Sequence, residues 1–182
     1  MSVFLGWMPD AAAQAALAGL QQALREALPA EGPRHDWRTP AQWHMTLRYL
    51  GDAIDPAQSG RIEAAMAAFA ADTDANIDAS LVGAQYWPHA RVLVAKIEAS
   101  DALKALLQRL EAAMQSCGFA RERAQTAHIT LAYLPTRETP AQPPPSTLTV
   151  PLPIDRVHLL RTMPGGYTSL ASWPLAGASP GA

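Results

Sequence analysis

The chain has 182 residues, 49% of them hydrophobic and 16% charged, with a net charge of -2. This balance excludes a disordered chain and supplies enough apolar side chains for a substantial core. The slight acidity argues against a protein that wraps a long duplex through many phosphates, and favours a small ligand or a single strand end.

The one cysteine, Cys117, leaves no partner for an internal disulfide and argues against a cysteine-based zinc cluster, so cytoplasmic residence is expected. Pro9 and Asp10 cut the apolar segment 2–8 too short for a signal peptide, and no run reaches the roughly 18–20 apolar residues of a membrane span. No membrane partner is expected, and a monomer is.

Val3 to Met8 reads as a short buried strand. Asp10 then caps an alanine-rich helix that runs to Leu28, before Pro29. The turn-rich stretch from Ala30 to Pro40, with Arg34, His35 and Arg38, reads as a loop. A strand follows at Trp43 to Leu50, then a helix from Asp55 and Pro56 through Phe69, with Ile62, Met66 and Phe69 on its buried stripe.

Ile77 to Gln85 and Arg91 to Ile97 read as strands. Ser100 caps an amphipathic helix carrying Leu103, Leu106, Leu107, Leu110 and Met114, ended by Gly118. A strand covers Ala127 to Leu134, and the proline-rich Pro135 to Pro145 reads as a surface loop. Two last strands, Ile154 to Arg161 and Tyr167 to Trp173, are joined by a turn at Pro164 to Gly166, and the tail from Gly177 to Ala182 is expected to fray.

Two of these strands carry nearly the same text: Trp43-His44-Met45-Thr46-Leu47 and Ala127-His128-Ile129-Thr130-Leu131. Each closes a strand–helix–strand unit, first from Val3 through Asp10 to His44 and again from Val92 through Ser100 to His128. The repeat predicts an α+β fold of two similar, mainly antiparallel sheets with helices on the outer faces, related by a pseudo-two-fold about a central cleft. Residues 1–176 are expected to form one bilobal domain.

On an extended strand, a histidine and a threonine two residues apart share a face. Two facing imidazoles, with ordinary pKa values near neutrality, can take a proton from a nucleophile and give one to a leaving group. The threonine hydroxyls can donate to phosphate oxygens. A histidine on a strand is often only a hydrogen-bonded structural residue, and the repetition in equivalent places is what speaks for function. A metal site is the other alternative, but neither strand offers a carboxylate on the same face to complete a ligand set, so no metal and no cofactor are expected.

By period two, Arg48 continues the face of His44 and Thr46, where it would meet phosphate with a forked donor or else only solvate the rim. Ala132 is its counterpart. Tyr133, Tyr167, Trp43 and Trp87 could stack on a base or belong to the core, and Tyr167 follows the turn most favourably for the cleft. Arg91, Lys96 and Arg161 are candidates for a local positive field, and His35, His89 and His158, outside the repeat, read as surface or structural.

The paired H-x-T-L strands, set in Trp43 to Gly51 and in Ala127 to Leu134, resemble the two-histidine phosphoesterase superfamily, and more narrowly the bacterial RNA 2′,3′-cyclic phosphodiesterases, also called 2′-5′ RNA ligases. The likeness extends over nearly the whole chain. It implies a bilobal α+β fold with the site between the lobes, His44 as the proton donor to the leaving 3′ oxygen, His128 as the acceptor that activates water, and Thr46 and Thr130 on the phosphate. It implies substrates that are RNA 3′ ends or tRNA halves with a 2′,3′-cyclic phosphate, or small cyclic nucleotides, hydrolysed to 2′-phosphomonoesters. The alternatives are a non-catalytic nucleotide- or RNA-binding module and an RNA ligase working in the joining direction. Relatives often carry an arginine where Tyr133 stands and a proline where Ala127 stands; Arg48 is the residue that would replace that arginine.

Overall fold

A computed structural model describes residues 2–28, 34–75, 77–123, 126–134, 142–143 and 149–178. Most of the expected 135–145 loop and of the 177–182 tail lies outside these residues.

Strand β1 (Val3–Trp7) leads into helix α1 (Ala11–Ala27), whose Asp10 cap accepts the Ala13 N–H at 2.7 Å. The segment expected to be a loop holds a two-residue strand, β2 (Asp36–Trp37), and a 3-10 turn at Pro40–Gln42. Then come β3 (Met45–Gly51), α2 (Pro56–Ala71), β4 (Asp78–Trp87), β5 (Val92–Ala99) and α3 (Asp101–Ser116). Capping side chains start both helices, Asp55 in a box with Gln58 for α2 and Ser100 for α3.

The chain finishes with β6 (His128–Tyr133), β7 (Val150–Pro153), β8 (Arg156–Met163) and β9 (Gly166–Pro174). Strand β7 departs from the sequence-based expectation, because Pro151 and Pro153 weaken any strand signal. As an edge strand on β4, it directs alternate N–H positions to solvent and tolerates prolines two residues apart.

All ladders between these strands are antiparallel, in the order β7-β4-β5-β6-β3-β1-β8-β9, with β2 added to β6. The two expected sheets, β7-β4-β5-β6 and β3-β1-β8-β9, are thus one path, joined by the single pair Met45↔Ile129. One face buries Leu5, Trp7, Met45, Leu81, Leu93, Ile129 and Leu159 together with the apolar stripes of α1, α2 and α3 in a continuous core. Phe4, Val92, Val94 and Leu160 are buried outside that cluster, on the opposite face. That second face carries the site.

Candidate active site

The pair Met45↔Ile129 fixes how the two motifs meet. One step to either side in antiparallel register sets His44 abreast of Thr130 and Thr46 abreast of His128, so the pseudo-two-fold passes through the joining pair. Residues alternate faces along a strand, and Met45 and Ile129 are both in the core. Both histidines and both threonines therefore turn to the other face, as the sequence predicts.

The alternation then breaks after the threonine in each copy, and β3 slips once more at Leu50 before Gly51. On β3, Thr46 pairs with Gly6 but Arg48 pairs with Leu5, so Leu47 is an extra residue in the ladder. On β6, Thr130 pairs with Val94 but Ala132 pairs with Leu93, and Leu131 is the extra residue. Each motif leucine sits in a bulge, which shifts the phase of everything after it.

Arg48 is consequently not on the face of His44 and Thr46. It lies on the core side with Leu5, 6% exposed. Its Nε donates to Glu111 of α3 at 2.6 Å and its Nη1 to Glu122 at 3.2 Å, with further bonds to the Tyr49 and Ala120 carbonyls. Burial disfavours the charge of Glu111, yet hydrogen bonds from Gln115 and the Glu122 N–H, together with Arg48, hold its carboxyl below the usual range. Arg48 is tied into a structural network and does not meet a ligand in the cleft. A cavity of about 350 Å³ adjoins this network, lined by Thr46, Leu47, Arg48, Leu107, Glu111 and Arg121 among others; neither histidine lines it.

The residues that the shifted phase does turn to the cleft are Tyr49 and Tyr133, 38% and 45% exposed. Tyr49 donates to Asp52 at 2.9 Å. Tyr167 is in the site too, its ring edge-on to His44 with centroids 4.5 Å apart. Trp87 packs on His128 at 4.6 Å, whereas Trp43 is a core residue, 1% exposed. Lys96 lies directly opposite His128 in the β5–β6 register. Arg161 pairs with Val3 on the core side, Arg91 sits in the β4–β5 turn, His89 is exposed, and His35 stacks on Trp37.

His158 pairs with Gly6 and so shares the face of Thr46, with its Nδ1 3.4 Å from the Ser169 hydroxyl. Two further residues of the site are not signalled by the motifs. Phe4 meets the His44 ring at 4.8 Å, and Arg38 lies over the Tyr133 ring at 5.3 Å. For Phe4 a signal exists: the five residues of β1 are all buried, which an element covered on one face alone cannot achieve. For Arg38 the strand is too short to show a period.

Each histidine is oriented the same way. Nδ1 of His44 faces the Gln42 carbonyl at 3.2 Å and Nδ1 of His128 the Thr126 carbonyl at 2.8 Å, two residues upstream in both cases. A carbonyl only accepts, so Nδ1 carries the proton and Nε2 is left to exchange protons in the cleft. Their surroundings differ. Enclosure lowers the His44 pKa from 6.5 to about 4, against the Gln42 hydrogen bond, and repulsion from His128 and Arg38 adds to the shift. Among the described residues, no group of three or more His, Cys, Asp or Glu side chains could hold a metal ion, and no helix is long and apolar enough to cross a membrane.

An antiparallel sheet in two pseudo-symmetric halves, with an H-x-T strand from each at a shared seam, is the architecture of the two-histidine phosphoesterases. The family model of the 2′-5′ RNA ligase superfamily matches residues 44–165, and the chain belongs to this family. The protein TT0787 of Thermus thermophilus has a similar structure at 26% identity and a TM-score of 0.76, over 98% of this chain and 100% of that one. E. coli LigT complexed with 3′-AMP is 17% identical, with a TM-score of 0.65 over 96% of this chain and 98% of that one. The MHV ns2 PDE domain is 16% identical, with a TM-score of 0.53 over 84% and 98%. Among curated proteins, none matches this sequence.

Proposed function

We propose that the chain hydrolyses 2′,3′-cyclic phosphate ends of RNA or nucleotides to 2′-phosphomonoesters by acid/base catalysis shared between His44 and His128. The observation that carries this reading is the pair of Nε2 atoms presented on one face from either side of the seam, each ring held by a carbonyl at its Nδ1. The complex of LigT with 3′-AMP and the PDE designation of the MHV ns2 domain support a nucleotide phosphodiester as ligand.

In this reaction, His128 takes a proton from water as its oxygen attacks phosphorus, and His44 gives a proton to O3′ as the P–O3′ bond breaks. Thr46 and Thr130 donate to the non-bridging oxygens. His44 is neutral in the free chain at neutral pH. It must therefore gain its proton when the phosphate arrives, whose negative charge offsets what enclosure and the neighbouring cations disfavour.

The same neutral His44 favours a second reading, in which it accepts the proton of an attacking hydroxyl and the chain joins 2′-5′ ends. Product analysis separates the two. The unaltered chain, in EDTA, is offered 2′,3′-cyclic nucleotides and cyclic-ended RNA, beside His44→Ala and His128→Ala. Hydrolysis to the 2′-phosphate, reduced at least about a hundredfold in either variant, is expected. Retention of more than a tenth of the activity in either variant overturns the two-histidine mechanism, and absence of turnover by the unaltered chain leaves a nucleotide-binding module.

A further inference from the structure

A phosphate in this cleft needs a cation, and the face that bears the histidines offers few. Arg48 is turned to the core side by the bulge at Leu47, on β6 the inward positions hold His128, Thr130 and Tyr133, and Lys96 of β5 stands beside His128, on the far side of the seam from His44. We propose that Arg38, presented by β2 and braced on Tyr133 and Tyr167, anchors the phosphate beside His44. The inference deepens the proposed function, in that it names the residue by which that cleft grips its substrate.

Strand β2 extends the β6 ladder, with Asp36 opposite Tyr133 and Trp37 opposite Ala132, and the Arg38 N–H continues it by donating to the Leu131 carbonyl at 2.8 Å. Alternation sends Trp37 to the core side, where Arg25 covers its ring, and sends Asp36 and Arg38 to the cleft with Tyr133. The Arg38 carbonyl accepts from Gln21 of α1 at 2.9 Å. The backbone is thus held on both sides before any ligand binds, which lowers the ordering cost of the grip.

The guanidinium lies 5.3 Å above the Tyr133 ring, and its charge acts on the hydroxyl of Tyr167, the residue edge-on to His44. Its carboxylate neighbour, Asp36, stands 3.9 Å away with a side chain 68% exposed, a weak and screened pairing. The Arg38 side chain is itself 22% exposed, and a guanidinium meets two phosphate oxygens at once. Its charge also bears on His44, as do those of His128 and, when a ligand is present, the phosphate. Neutralising Arg38 with phosphate would therefore ease proton uptake by His44. Anchoring and protonation are coupled through one residue.

The test uses the full chain with Arg38→Gln and Arg38→Lys, beside Arg121→Gln, an exposed arginine at the cavity on the core side. Two readouts are taken: the dissociation constant of inorganic phosphate by calorimetry, and the pH profile of kcat/KM on a 2′,3′-cyclic nucleotide. Arg38→Gln is expected to weaken phosphate binding by about tenfold or more and to move the acid limb of the profile to higher pH, with Lys recovering part of the binding. Arg121→Gln is expected to match the unaltered chain in both. Phosphate binding by Arg38→Gln within twofold of the unaltered chain overturns the inference, as does failure of the unaltered chain to bind phosphate. If the unaltered chain binds phosphate through Arg38 but turns over no cyclic nucleotide, the proposed reaction falls and the anchor stands.

Discussion

Phe4 and Gly6 point to the same face of β1, and the phenyl ring crowds the glycine: a Cβ on Gly6 would stand 3.2 Å from Phe4 Cε2. The same Cβ would meet the Met45 carbonyl at 3.1 Å and Leu160 Cδ1 at 3.2 Å. With no side chain at Gly6, Phe4 can lie beside the His44 ring and Thr46 has open space along its row. Gly6→Ala leaves the backbone dihedrals permissible but forces Phe4 aside, since the Met45 carbonyl belongs to a strand and cannot yield. The expected result is a fall in kcat/KM of about tenfold and a destabilisation of about 1–3 kcal/mol, read by kinetics and denaturant unfolding. A variant within twofold of the unaltered chain would show that Phe4 does not position His44.

The low pKa of His44 predicts a loss of stability in acid. In the unfolded chain this imidazole binds a proton near pH 6.5, and in the folded chain only near 4, so folding is opposed as pH falls through that window. The full loss is about 3 kcal/mol. Melting temperatures between pH 7 and 4 should fall more steeply for the unaltered chain than for His44→Gln. Equal slopes would contradict an enclosed, neutral His44.

The same group sets one limb of the pH dependence of kcat/KM, which reports the free enzyme. That limb should lie near pH 4, well below the ordinary histidine range. An acid limb at pH 6–7 on a cyclic nucleotide would contradict a His44 whose pKa is held so low by enclosure.

Arg48→Met removes the cation that Glu111 and Glu122 share, and leaves two half-buried carboxylates close together. Loss of one partner from such a network costs about 3 kcal/mol. Denaturant midpoints should drop accordingly, while KM for a cyclic nucleotide stays within twofold. The reverse pattern, a tenfold rise in KM at unchanged stability, would return Arg48 to the cleft.

Trp87→Leu withdraws the ring that packs on His128, at a position outside the main core cluster. Activity should fall about fivefold to tenfold at nearly constant melting temperature, because the imidazole loses a wall that restricts its rotation. An unchanged kcat/KM would assign Trp87 to neither orientation nor substrate stacking.

The motif strands, the three capped helices and the β8–β9 hairpin are legible in the sequence because each has a local cause: a period, an N-cap or a turn. His44, Thr46, His128 and Thr130 come with them, since a two-residue spacing needs no knowledge of the rest of the fold. Arg48 is misplaced by sequence alone because the period of two does not survive the bulge before it. The sequence does hold the warning. Apolar core residues fall at Met45, Leu47 and Leu50, and again at Ile129, Leu131 and Leu134, with the same slip of phase after each motif leucine. Arg38 and β7 are hidden for other reasons, the first by a strand of two residues, the second by prolines that only an edge position tolerates.

The seam between the halves holds one register pair, while five join β1 to β3 and five join β5 to β6. This is the shortest ladder on the path through the sheet, and it runs between His44 and His128. Strand pairing alone would let the halves scissor about Met45 and Ile129. Helix α3 packs on β3 and also on β4 and β5, so it spans the seam from behind, and Arg48 is the side chain that fastens it to β3. An arginine turned away from the cleft thereby ties the helix behind the seam to the half that carries His44.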